Sequence, residues 1–113
     1  MIELGLKKSE GVYIIELEGE LDLYSARKLK ALYGKMVERD VKSIAINFEK
    51  LYYLDSSGLG SLLYMHQDAK SRKIKLSFCN VHGSPKKIIE LTKLEKFFQI
   101  TGTLEESVAL LKS

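Results

Sequence analysis

The chain has one cysteine, one proline and two histidines in 113 residues. A lone Cys79 cannot close an internal disulfide, which fits a reducing cytosol. His66 and His82 lie too far from it in sequence to suggest a zinc-ligand cluster, so no metal site is expected. With a single proline and no Ser/Gly-rich stretch there is no linker to mark a boundary. No repeat or low-complexity segment interrupts the pattern either, and one domain over residues 1–113 is expected. No run approaches the roughly 18–20 unbroken apolar residues of a membrane span. The opening Met1-Ile2-Glu3-Leu4-Gly5 lacks the basic and apolar regions of a secretion signal. These absences point to a cytoplasmic protein without a membrane partner.

What is present is ordinary globular composition, 45% hydrophobic and 29% charged. Eighteen Lys and Arg stand against fifteen Asp and Glu, a net charge of +3. The densest basic run, Lys70-Ser71-Arg72-Lys73, is short and has no interleaved aromatic residue. It reads as a solvated turn, and no nucleic-acid partner is expected.

Periodicity gives the order of elements. Ile2, Leu4 and Leu6 alternate along a first strand, Ile2 to Lys8. A turn at Glu10-Gly11 leads to a second, Val12 to Glu18, completing a hairpin. Gly19 to Asp22 reads as a loop, and Ser25 as the N-cap of a helix reaching Glu38. Ile44, Ile46 and Phe48 alternate in a strand over Ser43 to Phe48, followed by a loop from Glu49 to Asp55. A second helix, Ser57 to Lys70, carries Leu59, Leu62, Leu63, His66 and Ala69 on one stripe. Ile74 to Asn80 is a strand. Ser84 is read as capping a helix with Pro85 at its first position. Gln99 to Thr101 is a short strand, and Thr103 caps a last helix. Strands alternating with helices after a hairpin predict an α/β fold with a largely parallel sheet and right-handed crossovers.

Chemistry concentrates in Leu54-Asp55-Ser56-Ser57-Gly58-Leu59-Gly60, which joins a strand to a helix start. Two glycines in a first helical turn cost about 1 kcal/mol each against alanine. A close approach of another backbone, or of a partner, would offset that. Four readings are open. Asp55 or Ser57 caps the helix, with Ser57 the favoured cap. A phosphate-binding loop is the second, but the third glycine of a dinucleotide fingerprint and the Gly-Lys-Ser/Thr of a P-loop are missing. A serine nucleophile is the third, but the G-x-S-x-G elbow is absent and only His66 or His82 could act as base. The fourth is a regulatory phosphoserine at Ser56, just outside the helix and exposed. A phosphate there adds about −1.5 to −2 charges beside Asp55.

The chain resembles a STAS domain, specifically the stand-alone anti-sigma-factor antagonists, over essentially its whole length. Gly19-Glu20-Leu21-Asp22 is similar to the family's Gly-acid-aliphatic-Asp segment, and Asp55-Ser56-Ser57-Gly58-Leu59-Gly60 matches its phosphorylation segment. Weaker agreement continues through Lys75-Leu76, Asn80-Val81 and Leu94 to Ile100. The resemblance implies a mixed four- to five-stranded sheet flanked by about four helices. It implies a non-enzymatic protein, without a cofactor, that works by partner switching. The unphosphorylated antagonist binds an anti-sigma factor that is also a serine kinase. The kinase phosphorylates it and the complex separates. A PP2C-type phosphatase restores it. By position the phosphoacceptor is Ser56, with Asp22, Asp55, Ser57 and Gly58 at the interface. Asp22 has a second reading, as a turn residue or the cap of the first helix. The sequence departs from the family at Arg72-Lys73 and at Lys93, where glycines are common. Its basic balance suggests a partner with an acidic face. One of Tyr52 and Tyr53 is expected to pack inward and the other to be an exposed contact. Rival readings are a STAS subunit of a transport or other large assembly, a ligand sensor, and a nucleotide binder or weak hydrolase.

Overall fold

The computed structural model describes residues 1–112. Five strands and four helices follow one another as β1 (Ile2–Ser9), β2 (Val12–Leu21), α1 (Leu23–Glu38), β3 (Ser43–Leu54), α2 (Ser56–Ser71), β4 (Lys75–Cys79), α3 (Gly83–Leu91), β5 (Ile100–Thr101) and α4 (Leu104–Lys112). The strands form one mixed sheet in chain order, β1-β2-β3-β4-β5. β1 and β2 are the antiparallel hairpin; every later neighbour is parallel. A sheet that always winds the same way through right-handed crossovers places its crossover helices on one face.

The alternation of the strands builds two cores. On the helix-covered face, Ile15 and Leu17 of β2, Ile44, Ile46 and Phe48 of β3, and Leu76 and Phe78 of β4 meet Leu29, Tyr33 and Met36 of α1 and Leu62 and Met65 of α2. Ile89 of α3 joins the same cluster. On the opposite face, Val12, Ile14 and Ala45 meet Val108 and Leu111 of α4. A short chain of hydroxyls lies under α4: Ser77 and Thr101 each sit 2.7 Å from the buried Ser107. Cys79 is fully buried in β4, and burial pushes its thiol pKa up to about 11, so it is inert packing.

Several boundaries differ from the sequence reading, each for a local reason. β3 does not end at Phe48 but runs to Leu54. Its pairing with β2 slips twice, where Glu16↔Asn47 gives way to Glu18↔Lys50, and Gly19↔Leu51 to Glu20↔Tyr53. Each slip inserts an extra β3 residue and breaks the two-residue alternation, so the segment reads as a loop in sequence. After each slip two successive residues point outward: Glu49 and Lys50, then Tyr52 and Tyr53. Both tyrosines are therefore exposed, and neither packs inward.

Helix starts also move. α1 begins at Leu23, capped by Asp22 rather than Ser25. α3 begins at Gly83, with His82 rather than Ser84 in the cap position and Pro85 at the third helical residue. Proline is tolerated there because the first four helical N–H groups have no intrahelical acceptor. At the start of α4 the expected cap is present as a reciprocal pair. Thr103 Oγ1 accepts from the Glu106 N–H at 3.1 Å, and Glu106 Oε1 accepts from the Thr103 N–H at 2.9 Å.

Candidate functional site

The site is built where β2 and β3 end together. Leu21 and Leu54 are register partners on adjacent parallel strands. The residues that follow them, Asp22 and Asp55, therefore emerge side by side at one edge of the sheet, and each opens a helix. Asp22 Oδ1 accepts from the Ser25 N–H at 3.0 Å, and Asp55 Oδ1 accepts from the Gly58 N–H at 2.9 Å. Each carboxylate thus meets an orphan donor three residues into its helix. The Ser25 hydrogen bond holds the Asp22 carboxyl below its ordinary pKa.

Asp55, not Ser57, is the cap of α2. Ser56 and Ser57 are the first two helical residues, so Ser56 is not outside the helix as its sequence context suggests. It is nevertheless exposed, while Ser57 is half-buried. Gly58, placed at the interface by position, is buried. A Cβ there would collide with the Leu21 carbonyl oxygen and lie 2.7 Å from Leu54 Cδ1. Its role is to let α2 descend onto the end of β2. The Asp55 N–H donates to that same Leu21 carbonyl at 3.4 Å. Gly58 thereby sets the position of Ser56 relative to Asp22 without presenting a surface of its own.

Exposed large apolar side chains occur on the two elements that meet these caps: Tyr52 and Tyr53 near the end of β3, and Leu23 and Tyr24 at the start of α1. Tyr24 is 74% and Tyr52 64% exposed. Such rings supply large contact area at small entropy loss, the composition of interface anchors. The sequence predicts one exposed tyrosine here. Tyr24 carries a signal of exposure too, since it lies opposite the stripe of Ala26, Leu29, Tyr33 and Met36, whereas Leu23, one turn before Ala26, is shown exposed by the structure alone.

The residues that hydrolytic chemistry needs are engaged elsewhere. His66 packs tilted against the Phe97 ring and edge-on to Phe98, with ring centroids 4.5 and 5.6 Å away. Burial, and then Lys70, lower its pKa. His82 Nε2 lies 2.8 Å from the Glu49 carbonyl and ties the start of α3 to the β3 bulge. Neither serves a serine of the motif. Among the described residues no group of three His, Cys, Asp or Glu side chains is arranged for a metal ion. No helix there is long and apolar enough to cross a membrane.

A family model described as the STAS domain matches residues 3–108. The chain belongs to the STAS domain family. It is 23% identical over 100 residues to an anti-sigma F factor antagonist of Paenibacillus polymyxa, covering 88% of this chain and 86% of that one. Among solved structures, an anti-sigma factor antagonist from Mycobacterium paratuberculosis superposes with a TM-score of 0.90 at 21% identity, over 100% of this chain and 96% of that one. The Bacillus cell fate determinant SpoIIAA in its phosphorylated form superposes with a TM-score of 0.73 at 23% identity, over 96% and 98%. The five-stranded mixed sheet with four helices is the STAS fold that the sequence led us to expect.

Proposed function

We propose that this STAS domain is an anti-sigma-factor antagonist that works by phosphorylation-controlled partner switching in the cytoplasm, with no catalytic activity of its own. In its unphosphorylated state it binds an anti-sigma factor that is also a serine kinase, and so releases the sigma factor. Phosphorylation of Ser56 ends that binding, and a PP2C-type phosphatase restores it. The names of its relatives support the antagonist assignment. The observation that carries the switch is the setting of Ser56: an exposed hydroxyl at the start of α2, next to the capping Asp55 and at the same strand ends as the capping Asp22.

The electrostatics give the direction. Asp22 and Asp55 are held by helix N–H groups, so they are fixed in place rather than free to swing away. A phosphate on Ser56 would bring about −1.5 to −2 further charges to that edge. Within a desolvated interface, such like-charge crowding costs several kcal/mol. The core is untouched, because Ser56 contributes nothing to it. The exposed tyrosines would supply affinity, and the phosphate would supply the control.

The test is affinity capture from native cytosol with three baits: wild type, Ser56→Ala and Ser56→Glu. A kinase-fold protein retained by the first two and lost by the third is the expected result. The same prey on all three baits, with Ser56 never phosphorylated in the endogenous protein, would overturn the reading.

A further inference from the structure

The fold requires Gly58 but not Gly60. A Cβ at Gly60 would meet nothing within 4 Å, and its φ is not in the left-handed region. The residue is exposed inside a 16-residue helix, where glycine weakens the helix by about 1 kcal/mol. What its missing side chain leaves is a groove between α1 and α2. Leu23, Ala26, Arg27 and Lys30 form one wall, and Ser57, Gly60 and Ser61 the other, of an open depression of about 260 Å³. These positions recur at helical spacing, so each set lines one face of its helix. Four residues beyond Gly60, Tyr64 takes the Lys30 ammonium over its ring at 4.7 Å. The near end is bounded by Leu23 and by Ser57, the residue after Ser56.

Charge identifies the occupant. Arg27 makes no ion pair among the described residues, and Lys30 has only the Tyr64 ring. No carboxylate lines the groove. Around it, α1 is basic on its outer face, with Arg27, Lys28, Lys30 and Lys35 against Glu38 alone. We propose that this groove receives an acidic side chain of the kinase partner, seated on Gly60 between Arg27 and Lys30. The inference rests on the partner-switching reading and deepens it. A carboxylate seated in this groove lies against Ser57, the residue after Ser56, where a phosphate on Ser56 would repel it.

The probe is the kinase retained by the wild-type and Ser56→Ala baits, purified and titrated against each variant. Arg27→Glu/Lys30→Glu is expected to bind at least about tenfold more weakly, with most of the loss in association rate and a flatter salt dependence. Both side chains are exposed, so its melting temperature should stay near that of the wild type. Gly60→Ala should melt higher yet bind more weakly, opposite signs that a purely structural glycine cannot produce. Zero-length carbodiimide coupling should join Lys30 to a partner Asp or Glu. Binding by the charge-reversed variant within twofold of the wild type would overturn the groove proposal while leaving partner switching intact. If no bait retains a kinase, partner switching fails and the groove proposal falls with it.

Discussion

Gly58→Ala and Gly60→Ala place the same methyl group two residues apart on one helix, and they should have opposite effects. Each change recovers about 1 kcal/mol of helix propensity. At Gly60 the new Cβ meets open space, so the gain survives and stability rises by about 0.5–1 kcal/mol. At Gly58 the Cβ overlaps the Leu21 carbonyl oxygen, which is backbone and part of the β2 end. Relief requires α2 to lift or β2 to shift, and such overpacking costs about 1–3 kcal/mol. Lifting the helix also loosens the Asp55 N–H to Leu21 carbonyl bond, worth about 1 kcal/mol. The net for Gly58→Ala is a loss of about 1–3 kcal/mol. At about 4–8 °C per kcal/mol for a domain near this size, that is a melting temperature lower by some 5–20 °C. Urea denaturation followed by circular dichroism measures both variants. A Gly58→Ala protein as stable as the wild type, or a destabilised Gly60→Ala protein, would refute the packing argument.

Helix ends give another test. α1, α2 and α3 are each followed, just past the C-cap, by a residue at positive φ, respectively Asp40, Lys73 and Lys93, and each end carries a paired set of hydrogen bonds such as Ile74 N–H to the Ala69 carbonyl and Lys73 N–H to the Lys70 carbonyl. Glycine is the natural residue at that position, so Lys73→Gly and Lys93→Gly should each stabilise by about 0.5–1 kcal/mol in the same denaturation assay; a loss at either would contradict the assignment. His66 should make stability pH-dependent. Its folded pKa lies below the ordinary 6.5 because burial disfavours the charged ring, so the unfolded chain binds the extra proton first. Its contribution is therefore complete above pH 6.5 and lost as the pH falls from there through the folded value. His66→Phe, which keeps an aromatic ring against Phe97 and Phe98, should flatten that part of the stability–pH curve; an unchanged slope would show that another group titrates. Ser56→Ala should shift stability by no more than about 0.5 kcal/mol, because the cap is Asp55; a larger loss would restore the serine to a capping role.

The order of strands and helices was legible in the sequence because most strands alternate cleanly and most helices show a stripe. Ile44, Ile46 and Phe48 announce β3, and Leu59, Leu62 and Ala69 announce α2. The second half of β3 was not legible. Its two bulges replace a period of two with a period of three, and Leu51-Tyr52-Tyr53-Leu54 then shows no alternation. Helix caps were ambiguous for a chemical reason: a carboxylate and a hydroxyl can both accept from the third helical N–H. Asp22 and Ser25, or Asp55 and Ser57, compete on equal terms until the strand ends fix where each helix starts. The site was legible as a segment, through its motif. Its division of labour was not: burial separates Gly58, which the fold needs, from Gly60, which it does not. The non-glycine residues at Lys73 and Lys93 were visible as departures from the family, and the backbone shows them at positive φ.

The most direct test of the switch is to add ATP and Mg²⁺ to the purified complex of this protein with its captured kinase, then map the phosphate and measure the affinity of the product. The account predicts modification at Ser56, none in the Ser56→Ala variant, and at least tenfold weaker binding once the phosphate is on. A phosphate on Ser57 or elsewhere, or a phosphorylated protein that binds as tightly as before, would contradict it.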